Sequence, residues 1–75
     1  MTGAELREIR IVLGASQSQF ARALGYRGLP RTLSRLMRRL EHDHREIPPG
    51  VQLLARQYAD KGLPHQSDNA GDIVT

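Results

Sequence analysis

The sequence predicts an all-α fold, a compact bundle of four to five short helices. Three observations point there. Apolar residues recur at three- and four-residue intervals in four separate stretches, with no strand-period run apart from a short extended piece at Ile73-Val74. Each stretch opens at a capping residue or a proline and closes at a glycine or a proline. The chain has 75 residues, enough for one domain with one small core.

Thr2 opens the first helix, with Glu5 three residues on in the spacing of a capping box. Leu6, Ile9 and Leu13 form its apolar stripe, and Gly14 ends it in a left-handed conformation that a side chain would resist. The second helix follows at once. Ser16 is its N-cap and Gln19 completes another capping box. Phe20, Ala21 and Leu24 face the core, and Gly25 closes the helix after about two and a half turns. Two short helices joined by a tight turn indicate a packed helical unit rather than a coiled coil.

Tyr26 to Leu29 make the next turn. Pro30 suits the first turn of a helix, where its missing N–H is of no consequence. Leu33, Leu36, Met37 and Leu40 then follow at i, i+3, i+4 and i+7, and this third helix is expected to run to about Asp43. Ile47-Pro48-Pro49 interrupts the chain. Pro49 starts a fourth helix with Val51, Leu54, Ala55 and Tyr58 on its buried face, stopped by Gly62 and Pro64. Residues 1–64 thus read as one domain. Residues 65–75 are rich in Asp, Asn, Gly and Ser without periodicity, and are expected to be a flexible or loosely packed tail.

Composition narrows the function classes. Hydrophobic residues make up 39% and charged residues 25%, a globular rather than a disordered balance. The absence of cysteine rules out a disulfide framework and thiolate metal sites, and the reducing cytoplasm is the expected compartment. No apolar run approaches the roughly 20 residues of a membrane span. Glu5 and Glu8 near the start do not fit a signal peptide.

The net charge of +3 matters less than its distribution. Seven arginines lie between Arg22 and Arg45, against Glu41 and Asp43, and only one of the eleven basic residues is lysine. Arginine's planar fork suits phosphates and guanine edges. On a wheel of about 100° per residue, Arg31, Arg35, Arg38 and His42 lie opposite the Leu33-Leu36-Met37-Leu40 seam. Ser34 and Thr32 sit on the flanks, with Arg39 beside Thr32. Arginines at i, i+4 and i+7 repel by roughly a few tenths of a kcal/mol per pair. A face that tolerates this repulsion is reserved for an anionic partner, and the major groove of duplex DNA fits an α-helix of this kind. Ser16, Gln17 and the free amides at the start of the second helix add a site that favours phosphate.

Ser16-Gln17, Phe20-Ala21, Leu24-Gly25 and then Arg31-Thr32-Leu33-Ser34-Arg35 resemble the Cro/phage-repressor (xenobiotic response element) type of helix-turn-helix protein. In that family the second helix typically reads Ser-Gln-x-x-hydrophobic-Ala-x-x-Leu-Gly, and the recognition helix reads Thr-hydrophobic-Ser-x-aromatic-Glu. The resemblance covers roughly residues 4 to 60 and is more specific in the second helix than in the third. The stretch from Gly25 to Thr32 is about two residues longer than the family's usual turn, Leu36-Met37 replaces the aromatic-Glu pair, and Glu41 falls about a turn later. Glu46-Ile47-Pro48-Pro49-Gly50-Val51 looks like the entry to the next helix in some small phage and plasmid regulators. Among these are the autorepressors encoded beside anti-CRISPR genes and the antitoxins of toxin–antitoxin pairs.

The resemblance implies a transcriptional repressor that binds double-stranded DNA. It implies base contacts from Arg31 and Arg35, phosphate contact from Gln17, phosphate or base-flanking contacts from Thr32 and Ser34, and a backbone contact from Arg45. The wheel adds Arg38 to the base-reading set and Arg39 to the phosphate set, with Ser16 and Arg27 beside them. One recognition helix buries too little surface to be both tight and selective, so a homodimer on an inverted repeat is expected. Ile11 and Leu53 fall off their helices' buried stripes. Leu53, Ile73 and Val74 are the interface candidates.

Other chemistries fit less well. His42 and His44, two apart on a helix, would point about 200° from one another and could not share an ion, so no metal and no cofactor is expected. Glu5, Glu8 and Glu41 read as ordinary helix-surface or cap residues, and no enzyme site is visible. With no Trp, one Phe and two Tyr there is little for RNA base stacking. The alternative from another class is an antitoxin or protein-interaction module whose basic helix grips an acidic partner.

Overall fold

Four helices follow in order: α1 (Gly3–Leu13), α2 (Gln17–Ala23), α3 (Pro30–Glu41) and α4 (Pro49–Lys61). They come from a computed structural model that describes residues 1–63. The described residues contain no strand, so the fold is all-α. The tail expected from residue 65, with Ile73 and Val74, lies outside the described residues.

Both expected capping boxes form. Thr2 Oγ1 accepts the Glu5 N–H at 3.1 Å while Glu5 Oε1 accepts the Thr2 N–H at 2.8 Å. Ser16 and Gln19 repeat the exchange at 3.1 and 2.9 Å. Each box satisfies two otherwise orphaned donors at the start of its helix. Gly14 ends α1 at φ 71°, as its position predicts. Prolines start α3 and α4 without a side-chain cap.

The core gathers Leu6 from α1, Phe20 and Ala21 from α2, Leu33, Met37 and Leu40 from α3, and Val51 and Ala55 from α4. Ala15, Leu24, Ile47 and Leu63 close it from the connections. Ile9, Leu13, Leu36, Leu54 and Tyr58 are half-buried around it. Burying each large side chain stabilises the fold by about 1.5–3 kcal/mol. The closest pair of helices is α2 and α3, and α1 packs on both α3 and α4. The Tyr58 hydroxyl donates to the Ala23 carbonyl at 2.7 Å and ties α4 to the end of α2.

Two expectations are corrected at the end of α3. The helix stops at Glu41 rather than near Asp43, because the chain turns to meet α1. Asp43 adopts a left-handed φ of 59°, which a short polar side chain tolerates better than most. Its Oδ1 then accepts the Gly3 N–H at 2.8 Å, a first-turn donor that α1 itself cannot satisfy. Gly3 has no room for a side chain, since a Cβ there would overlap the backbone carbonyls of Leu40 and Glu41. Because the helix has already ended, His42 and His44 do not point apart as a continued helix would require. Their rings lie 6.0 Å apart.

Glu41 is the second correction. It is not a surface residue but is only 6% exposed. Arg10 Nε donates to Glu41 Oε2 at 2.6 Å and Arg10 Nη2 to Oε1 at 3.3 Å, while Nη1 donates to the Ala15 carbonyl at 3.1 Å. The paired, charge-assisted geometry ties α1, the α1–α2 turn and the end of α3 together. No buried side-chain nitrogen or oxygen among the described residues lacks a partner.

Four variants test the packing and the first capping box, each read in thermal melts followed by circular dichroism. Gly3→Ala should destabilise by about 1–3 kcal/mol, and each kcal/mol should lower Tm by roughly 4–8 °C. Gly50→Ala, where an added Cβ meets nothing within 4 Å, should leave Tm unchanged or slightly raised. A melt of Gly3→Ala equal to wild type would refute the close approach of α1 and α3. Glu41→Ala strands the Arg10 guanidinium and should cost about 3–5 kcal/mol, enough to abolish a cooperative transition in a domain of this size. A cooperative melt within a few degrees of wild type would show that the pair is dispensable. Glu5 carries the pH signal. The hydrogen bond from the Thr2 backbone, chiefly, holds its carboxyl below the ordinary value of 4.5. Its stabilising contribution is therefore complete above that ordinary value and is lost as pH falls through the lowered one. Glu5→Gln should melt below wild type at pH 7 and converge on it in acid. A constant difference across that range would exclude the carboxylate as the cause.

Candidate nucleic-acid interface

The core-facing stripe of α3 leaves its opposite side in solvent. There Arg31, Arg35 and Arg38, one turn apart in succession, share an open depression of about 210 Å³ with Ser34 and Gln17. All three arginines are exposed, and none makes a side-chain hydrogen bond or ion pair with another described residue. Among the described residues no acidic side chain lines the depression. Three guanidinium forks thus stand with their donors open, in a geometry matched to phosphate oxygens or paired acceptors on a base edge.

Gln17 enters from the first turn of α2, carried there by the packing of α2 on α3. Its Nε2 donates to Glu41 Oε1 at 3.3 Å. The side chain is thereby held between the buried ion pair and the open depression. Its carbonyl oxygen and second amide hydrogen remain for a ligand.

The structure thus brings together Arg31, Ser34, Arg35, Arg38 and Gln17. It does not bring Ser16, Arg27, Thr32, Arg39 or Arg45 into the depression, although all five are exposed. Thr32 and Arg39 lie on a flank of α3, Arg27 in the turn before it and Arg45 in the loop after it. The start of α2 is less open than the sequence suggests. The Ser16 and Gln19 amides are closed within their capping box, leaving those of Gln17 and Ser18. The Ser16 hydroxyl already takes the Gln19 N–H and lies 3.4 Å from Ser18 Oγ.

The turn before α3 is long but well supported. The Tyr26 N–H donates to the Ala21 carbonyl at 3.1 Å, and Arg22 Nη2 donates to the Gly28 carbonyl at 3.3 Å. Gly25 and Gly28 supply positive φ angles of 102° and 144° that residues with side chains rarely adopt. Sequence reasoning missed this use of Arg22, because nothing local marks an arginine that reaches six residues ahead to a carbonyl. Ile11 and Leu53 are exposed as expected. Val12 and Leu29 are more exposed still, at 73% and 70%, and went unmarked.

The described residues hold no group of three or more His, Asp or Glu side chains placed to bind a metal ion. No described helix is long and apolar enough to cross a membrane. Comparison with family models, with curated proteins and with solved structures gives no match.

Proposed function

We propose that this chain is a sequence-specific duplex-DNA-binding transcriptional regulator of the Cro/phage-repressor helix-turn-helix type. It acts in the cytoplasm as a homodimeric autorepressor on an inverted repeat. The observation that carries the reading is the set of three arginines, Arg31, Arg35 and Arg38, around one open depression with Gln17 and Ser34, with no ion-pair partner and no lining acid among the described residues. α3 enters the major groove. The three arginines and Ser34 meet base edges there, arginine pairing best with guanine. Gln17, with Ser16, Arg27, Thr32, Arg39 and Arg45 around the site, holds phosphates and sets register. A second copy doubles the buried surface and the sequence read, with half-sites about one helical turn apart. Leu53, 61% exposed on α4, is the described interface candidate.

Selection of bound sequences from a random duplex pool should return an inverted repeat, and log affinity should fall with log salt at a slope near −0.9 per neutralised phosphate. Arg35→Ala should weaken binding to that repeat by about 1–3 kcal/mol, with little change on random duplex. Equal loss on both would demote Arg35 to a phosphate contact. Absence of any duplex binding at low salt would sink the reading and favour an interaction module whose basic face takes an acidic protein.

A further inference from the structure

We propose that Leu29 is a specificity-determining residue that makes apolar contact with the 5-methyl group of a thymine in the major groove. This rests on the DNA-binding reading and extends it to a residue outside the arginine set. Leu29 is the N-cap of α3 and breaks two local rules at once. An N-cap position favours Ser, Thr, Asp or Asn, whose oxygen closes an orphaned amide, yet here no side-chain cap forms. A large apolar side chain normally seeks cover, yet this one is 70% exposed. Single exposed leucines are ordinary on protein surfaces. This one stands at the entry to the arginine-bearing helix, and such local conflicts gather at functional sites.

The side chain is held out on a braced backbone. On one side Arg22 Nη2 donates to the Gly28 carbonyl at 3.3 Å. On the other, the Leu29 carbonyl accepts the Leu33 N–H at 2.9 Å, and the ring of Pro30 restricts the next φ. Leu29 therefore reaches a ligand with little backbone freedom to lose. Exposed arginines flank it in sequence at Arg27 and Arg31, so the surroundings suit a polyanion. The N-terminal residues of a recognition helix are those that reach base edges. On those edges the thymine methyl is the apolar feature that an aliphatic side chain can read. Val12 and Leu53, the comparably exposed apolar residues, belong to α1 and α4 and have no such setting.

The test uses the full chain and the duplex selected above, with each thymine replaced in turn by deoxyuridine, which removes only the methyl group. At one thymine in each half-site the replacement should weaken wild-type binding about fourfold. Leu29→Ala should bind the thymine and uracil duplexes equally, while still preferring the selected sequence through its arginines. Circular dichroism should show the variant folded, since Leu29 lies outside the core. Wild-type binding indifferent to every replacement would overturn the inference and leave the DNA reading standing. So would a Leu29→Ala variant that keeps the full methyl dependence, since another residue would then read the methyl. Failure to select any sequence would overturn both.

Discussion

Arg10 of α1 meets Glu41 at the end of α3, and the placement of α3 depends on that meeting. The guanidinium grips both carboxylate oxygens and the Ala15 carbonyl, and Gln17 adds its amide to the same carboxylate. A buried ion pair of this kind is poor evidence of net stability, because desolvation offsets most of the attraction. Its effect is on uniqueness. Leucines and methionines in a core this small could repack with α3 rotated or slid by a fraction of a turn, whereas a carboxylate that must meet three donors from two other segments cannot. The Gly3–Asp43 contact reinforces the same junction and sets the separation of α1 from α3.

That constraint matters because α3 has two faces with opposed demands. Leu33, Met37 and Leu40 commit one side to the core, and the other carries arginines that repel each other. The repulsion is small beside the burial of three large apolar side chains, so the helix tolerates it. Gln17 lies at the boundary between these demands, bonded to the buried carboxylate and lining the open depression. The rigidity of the ion pair is thereby passed to a group that a ligand can touch.

Much of this was legible in the sequence because it is local. Capping boxes, helix-ending glycines, N-terminal prolines and the i, i+3, i+4, i+7 seam are written within a few residues of where they act. The arginine ladder is legible for the same reason, since helical spacing alone sets its face. What escaped depends on contacts distant in sequence. Nothing near Glu41 distinguishes a surface carboxylate from one that will meet Arg10, 31 residues earlier. The early end of α3 comes from Gly3, 40 residues away, and with it fell the argument from helical spacing that separated His42 from His44. Leu29 escaped because burial of a leucine is the ordinary expectation at the sequence level, and its exposure shows only when the turn is built.

The junction at Glu41 and Asp43 also has a topological side. α2 and α3 are neighbours in the chain and close a short loop when they pack. The bonds that hold the start of the chain close much longer ones: 31 residues from Arg10 to Glu41, 40 from Gly3 to Asp43, and 51 from the terminal amine of Met1 to Gln52. The entropy of loop closure rises with the logarithm of loop length. Seating α1 is therefore the step that encloses the most chain. Pairing α2 with α3, neighbours in the chain, closes a shorter loop and costs less entropy.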